Sequence, residues 1–324
     1  MFLTWTLSLL LLAGQPQARP SELAHTYSIV AYDEQTGEVG GAVQSHWFSV
    51  GSIVVWAQGG VGAVATQSFV NVDYGPLGLR AMASGERPGP ALERLTQADP
   101  GRDVRQVAFV DVSGRVAAHT GQKCIRHHCD VQGDGFSVQA NMMLKSTVCT
   151  AMAEAFRSAR GSLARRLMAA LQAAEAEGGD IRGRQSAALK VVSAAKPEQP
   201  WEGVMVDIRV DDHQRPLQEL ERLLTVQEAY NDMNAGDLAI EHGQMEQALQ
   251  HYARAEEKLP GRLEPRYWHA VQLVSVGRLQ EALPIFKEIF AQDGNWLELT
   301  RRLAEVDLLP QDPEVLKAIE EQAP

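Results

Sequence analysis

Short apolar runs punctuated by glycine, from Tyr27 to about Arg102, restrict this chain more than any other feature. Tyr27 to Tyr32, Glu38 to Ser45, Ile53 to Ala57 and Val61 to Gln67 are rich in Val, Ile and Ala. They are bounded by Asp33-Glu34-Gln35-Thr36-Gly37, Val50-Gly51 and Gly59-Gly60, which is turn chemistry. The pattern predicts consecutive antiparallel strands. Because it begins at Thr26-Tyr27-Ser28, a threonine heads the sheet, close behind an apolar leader.

Helical spacing follows at Tyr74 to Ser84 and Pro90 to Ala98. Val104 to Val112 and Arg115 to Thr120 flank Ser113-Gly114 as a hairpin, and Phe136 to Met143 is a further strand. Thr147 to Ala159 and Leu163 to Ala176 predict paired amphipathic helices, followed by strands at Gln185 to Ala194 and Gly203 to Val210. Strands, then helices, then strands again point to an antiparallel α+β sandwich rather than a doubly wound parallel sheet. Beyond Pro216 every signal is helical, and Gly243, Ala248, Tyr252 and Ala255 recur as Gly277, Ala282, Phe286 and Ile289, each 34 residues on. That is the tetratricopeptide period, with small residues where two helices touch and an aromatic where the next docks. Leu297 to Leu309 reads as a final capping helix. Such a unit offers a partner-binding groove or serves as a shielding appendage, and the sequence leaves both open.

Phe2 to Ala13 is an apolar run of roughly a dozen residues, too short to span a bilayer and of the length of a signal h-region. Residues 1–24 therefore read as a signal peptide and the protein as secreted or periplasmic, a buried amino-terminal helix being the alternative. No other segment has the length of a membrane span, so stable membrane insertion is not expected. With 45% hydrophobic and 22% charged residues the chain is globular, and a net charge of -11 argues against nucleic acid. Three cysteines, Cys124, Cys129 and Cys149, allow one intrachain disulfide, for which Cys124 with Cys129 is the natural pair. The intervening Ile125-Arg126-His127-His128 makes zinc conceivable, but a single compact cluster lacks the two separated ligand pairs of a structural site. Asp211-Asp212-His213 suits the positive end of a helix starting near Pro216 better than a cation. Neither a phosphate loop nor a dinucleotide fingerprint occurs, so no cofactor and no metal are expected.

Several ordered motifs resemble one family. They are Thr26-Tyr27-Ser28-Ile29-Val30-Ala31-Tyr32-Asp33, Gly60-Val61-Gly62-Ala63-Val64-Ala65-Thr66-Gln67, Tyr74-Gly75-Pro76, Asp99-Pro100-Gly101-Arg102, Val116-Ala117-Ala118-His119-Thr120-Gly121, Gly183-Arg184-Gln185-Ser186-Ala187-Ala188 and Asp207-Ile208-Arg209-Val210-Asp211-Asp212-His213. Over about Thr26 to Leu224 the chain resembles DUF1028. The resemblance implies a four-layer αββα sandwich like that of the Ntn hydrolases over residues 25–215. Residues 216–324 would then form an all-α, tetratricopeptide-like domain, matching an extension described in that family as peptidoglycan-binding.

In the superfamily so implied, the first residue of the mature chain is the nucleophile and its own α-amine, with a pKa near 7.7 to 8.0, is the base. Thr26 is the candidate here. It needs a free amine, so trimming or self-cleavage must remove His25; otherwise Thr26 is simply the first residue of a strand. Amide cleavage also needs donors for the developing oxyanion, and Asn71 and Asn141 are the candidates, with turn capping as the alternative for each. Ser45 and Gln67 end neighbouring strands near the head of the first, and Arg184 and Gln185 enter a strand from a glycine-rich loop; these four are candidate substrate contacts. Arg184 could hold a carboxylate, or pair with Asp180 or Asp207. His119 reads as a packed histidine. The expectation is an Ntn-type hydrolase acting on an amide in a small molecule or peptide. The alternatives are a non-catalytic module that binds cell-wall fragments or peptides, and a homo-oligomeric assembly protein.

Overall fold

The computed structural model describes residues 22–24, 26–199 and 201–324, so the expected signal peptide, residues 1–24, lies outside the described residues except for Glu22–Ala24, which form a strand. Among the described residues eleven strands form two antiparallel sheets. The larger has the order β11 (Val204–Val210), β10 (Ser186–Ser193), β3 (Glu38–Ser45), β2 (Thr26–Asp33), β9 (Phe136–Ala140) and β8 (Cys129–Gly133). The smaller runs β1 (Glu22–Ala24), β5 (Gly62–Val70), β6 (Arg105–Asp111) and β7 (Val116–Thr120), with β4 (Val55–Gln58) also on β5.

Alternation along each strand decides what faces what. On the larger sheet Val30, Val43 and Ala188 face one way and meet Ala63, Ala65, Ala108 and Val110 of the smaller sheet. Tyr27, Ile29, Ala42 and Leu189 face the other way, under α3 (Val148–Ser158) and α4 (Leu163–Ala176), which contribute Met152, Phe156, Leu167 and Leu171. The far face of the smaller sheet, with Val64, Val107 and Phe109, is covered by α1 (Tyr74–Ala83) and α2 (Pro88–Ala98). Two glycines let α1 lie close to that sheet. A Cβ at Gly75 would stand 2.5 Å from the Trp56 ring, and one at Gly78 would stand 2.5 Å from Phe109.

After β11 the chain is helical: α5 (Pro216–Glu241), α6 (Met245–Lys258), α7 (Leu263–Ser275), α8 (Leu279–Gln292), α9 (Asn295–Glu305) and α10 (Pro313–Glu320). The expected final helix, Leu297 to Leu309, is α9 and ends at Glu305, and a further helix follows it: the chain turns over Val306 to Asp312, and Asp312 caps α10 by accepting from the Glu314 amide. The first half of α5 buries Leu217, Leu220 and Leu224 in the core of the larger sheet, whereas its second half packs Ala229, Met233 and Ala239 against α6. One continuous helix therefore belongs to both units. Arg165 on α4 clamps it by pairing with Glu221 and Glu228. Gly243 and Gly277 end α5 and α7 with φ of 72° and 80°, the left-handed region where glycine carries no Cβ penalty.

The disulfide differs from expectation. Cys129 on β8 pairs with Cys149 in the first turn of α3, their Cα atoms 6.1 Å apart, a separation a disulfide readily spans. Cys124 instead turns inward, its thiol 3.4 Å from the Arg105 carbonyl, and stays reduced. The bridge ties an edge strand to a covering helix. Cys149→Ala should lower unfolding free energy by about 2 to 4 kcal/mol in urea titrations without reductant. Reductant should produce a comparable loss in the parent chain and none in the variant.

Candidate functional site

At one end of the space between the sheets the apolar contact gives way to polar side chains, all fully buried: Thr26, Ser28, Ser45, Gln67, Gln106, Ser137, Gln139 and Asn141. Strand register assembles them. Thr26 is opposite Ser45, Ser28 is opposite Gln139, and Gln67 is opposite Gln106. Each carboxamide is spoken for by its neighbours, as a buried amide must be. Gln67 Nε2 donates to Gln106 Oε1 at 2.8 Å and to the Thr26 and Gln139 carbonyls, both at 3.2 Å. Ser28 Oγ donates to Gln67 Oε1 and accepts from Gln139 Nε2, each at 2.6 Å. Gln106 Nε2 reaches Thr120 Oγ1 and the Cys129 and Ala140 carbonyls, each at 3.1 Å. Thr120 passes the chain on to Asp130 at 2.6 Å.

Thr26 lies at the centre of this arrangement. Its Oγ1 donates to Ser45 Oγ at 3.2 Å, and its carbonyl accepts from Gln67 Nε2, Asn141 Nδ2 and the Asn141 backbone amide. Two backbone outliers stand beside it. Ser68, directly after Gln67, has φ 71°, and Met142, directly after Asn141, has φ 58°. Left-handed backbone at residues with a side chain costs about 1 to 3 kcal/mol and persists where the surroundings impose it, most often at functional sites. Ser68 Oγ makes no hydrogen bond of normal geometry among the described residues. It borders the Cys124 thiol, whose pKa burial holds above its ordinary value despite the opposing influence of Ser68 and Gly121.

Four of the seven residues singled out from the sequence, Thr26, Ser45, Gln67 and Asn141, are thus brought together. Asn141 Nδ2 donates to the Thr26 carbonyl at 3.4 Å and to Gln106 Oε1 at 3.0 Å. Asn71 lies at the turn into α1 and accepts from the Asp73 amide at 3.1 Å, the capping role. Gln185 joins the cluster only through its backbone, donating to the Ser45 carbonyl at 3.0 Å and accepting from the His213 amide. Arg184 is on the other side of the larger sheet. Its partner is Glu175, not Asp180 or Asp207, which pair with Arg182 and Lys190. There Tyr27, alternating with Thr26 and Ser28, donates to Glu175 at 2.7 Å, and burial, reinforced by that carboxylate, holds the phenol neutral. Arg184 and Glu175 border a cleft of about 300 Å³ with Arg215, Leu217, Gln218 and Glu221. Ser28, Gln106, Gln139 and Thr120 went unnoticed in the sequence. Their signal is a polar residue on the inward phase of an otherwise apolar strand, as in Thr26-Tyr27-Ser28 and Ser137-Val138-Gln139-Ala140-Asn141.

The β5 end of the site is braced. Arg105 donates to the Phe69 carbonyl at 2.6 Å and to Asp99 at 2.9 Å, and Tyr74 donates to Asp99 at 3.1 Å. Burial raises the Asp99 carboxyl, but bonds from Arg105, Gly101 and Tyr74 outweigh it and leave the pKa below its ordinary value. A depressed carboxyl stabilises the fold above its unfolded pKa, near 3.9, and the benefit disappears as pH falls through the folded value. Asp99→Asn should therefore be less stable than the parent near neutrality, with the two urea midpoints converging in acid below about pH 4. A pH-independent gap would mean the carboxylate charge contributes nothing.

The model of a family of unknown function, DUF1028, matches residues 26–220. The crystal structure of protein SPO2555 from Silicibacter pomeroyi, assigned to the same family, is similar to this chain. The two are 33% identical, and the match covers 62% of this chain and 88% of that one with a TM-score of 0.56. No curated protein matches significantly.

Proposed function

Since the chain belongs to the DUF1028 family, whose function is unknown, we propose its activity from its own geometry: an exported hydrolase of Ntn type that cleaves an amide with Thr26 as nucleophile. The observation that carries this reading is a threonine at the head of a central strand, buried, held by its carbonyl from two side-chain amides and bonded through Oγ1 to Ser45. Two facing antiparallel sheets, with helices outside each, support the Ntn-like four-layer sandwich. Among the described residues, the groups within hydrogen-bond reach of Thr26 are hydroxyls, carboxamides and backbone groups, which neither take up nor release protons near neutral pH. In the proposed mechanism the base is the α-amine that cleavage after His25 would free, one residue from the hydroxyl and partly neutral near pH 8.

Export is supported by the apolar leader and by the Cys129–Cys149 bridge, which suits an oxidising compartment. The helical region is read as tetratricopeptide-like, because the residues recurring at 34-residue spacing, Ala248, Tyr252 and Ala255 with Ala282, Phe286 and Ile289, are all buried. It would present a groove for a peptide or cell-wall fragment.

Amino-terminal sequencing and intact mass of the protein recovered from its export compartment test the central claim. The expected chain starts at Thr26. A start at any upstream residue leaves the threonine without its base and overturns the hydrolase assignment.

A further inference from the structure

The strand just upstream of Thr26 says what kind of amide would fit. β1 pairs antiparallel with the end of β5, with Glu22 opposite Val70, Leu23 opposite Phe69 and Ala24 opposite Ser68. Ser68 is matched to both Ala24 and Arg105, so β1 lies on the edge of β5 away from β6. Further back, β4 takes that edge over Gly62 to Ala65. One residue, His25, separates Ala24 from Thr26. The acyl side of the bond preceding the threonine is thus carried by three residues laid as a strand on β5. The receiving edge does not depend on β1 for its shape, because Arg105, ion-paired with Asp99, grips the Phe69 carbonyl from β6.

We propose that, once residues 22–25 have been removed, the vacated edge at Ser68 to Val70 receives the acyl side of a peptide substrate as an antiparallel strand, in the direction β1 takes now. This rests on the hydrolase reading above and specifies its substrate class: an extended peptide with about four residues before the scissile bond, the first three of them paired with the edge, rather than a small free amide. A sheet edge left open offers unpaired N–H and C=O groups, and an incoming strand satisfies them in the way β1 does. With the peptide so aligned, its carbonyl carbon reaches Thr26. The Thr26 Oγ adds to that carbon and its proton passes to the α-amine. The C–N bond breaks with a proton delivered to the leaving nitrogen. Water then attacks the ester, releasing a carboxylate and restoring the hydroxyl.

The test uses an acetylated, fluorescent tetrapeptide amide with the sequence of residues 22–25, titrated by anisotropy into two proteins. One is a chain carrying Thr26→Ala and released from an upstream fusion so that it starts at position 26. The other is the chain that retains residues 22–25. The trimmed chain should bind at least about tenfold more tightly, since the other chain fills the edge with its own strand. N-methylation of peptide amides should weaken binding at alternate positions only, the pattern of a paired strand. If circular dichroism shows the trimmed chain unfolded, the untrimmed chain with Leu23→Pro, whose own strand has lost a donor, takes its place and should gain affinity. Equal binding by both chains, or N-methyl effects without alternation, overturns the proposal. Turnover of a small amide by a trimmed chain with Thr26 intact, without peptide binding, rejects this inference and leaves the hydrolase reading standing. Alternating peptide binding with no hydrolysis of any amide rejects that reading and leaves the edge as a docking site.

Discussion

Gln106→Leu is expected to cost about 3 to 5 kcal/mol of unfolding free energy, more than any other single change in the polar cluster. The side chain is fully buried and connects both sheets. Its Oε1 accepts from Gln67 at 2.8 Å and from Asn141 at 3.0 Å, and its Nε2 serves Thr120, Cys129 and Ala140. Leucine fills a similar volume but leaves two buried donors and two buried carbonyls short of a partner. Each such group forfeits about 1 to 3 kcal/mol when water cannot reach it, and mutual polarisation across the network adds to the loss. Urea denaturation followed by circular dichroism would read the change as a lower midpoint at unchanged slope. A loss below about 1 kcal/mol would mean that the network relaxes around the missing amide and does not hold Thr26 rigidly. Ser137→Ala should be much milder, because that hydroxyl donates only to Gln139 Oε1, at 3.1 Å, among the described residues.

The same cluster shows where sequence was informative. β2 and β3 were legible because Val, Ile and Ala recur in short runs closed by Asp33 to Gly37, and a buried strand needs that composition. The helix pair α3 and α4 was legible from its apolar spacing. Cys129-Asp130-Val131-Gln132-Gly133 was not, because an edge strand with half-exposed side chains has no apolar run to betray it. The disulfide is hidden for the same reason: without β8, Cys129 has no neighbour in the sequence but the nearby Cys124, whereas the fold brings it to Cys149 on a covering helix. Helical periodicity likewise runs unbroken through α5, so nothing in the sequence marks the point at which its partners change from the sheet to α6. Thr26, Ser45, Gln67 and Asn141 could be guessed from their places at strand ends. That they share one network depends on a register between strands far apart in sequence, which no local pattern encodes.

Thr26→Ala should separate catalysis from folding. The substitution removes the bond from Oγ1 to Ser45 at 3.2 Å but keeps the backbone carbonyl that Gln67 and Asn141 hold. Stability should fall by only about 1 kcal/mol, the usual net worth of one hydroxyl hydrogen bond. Amide hydrolysis should fall by at least about a thousandfold, because the α-amine then has no hydroxyl on its own residue to activate, and Ser45 Oγ, on the neighbouring strand, does not take its place. If the bond after His25 is broken by the chain itself, the variant should also keep residues 22–25, which intact mass would show directly. Thr26→Ser keeps the hydroxyl and should retain activity within about tenfold. For the parent chain the rate should rise with pH and level off above roughly pH 8, since the α-amine acts as base only in its neutral form and its ordinary pKa is near 7.7 to 8.0. A Thr26→Ala protein that folds and still hydrolyses the parent's substrate at an undiminished rate would falsify the assignment of this threonine as nucleophile.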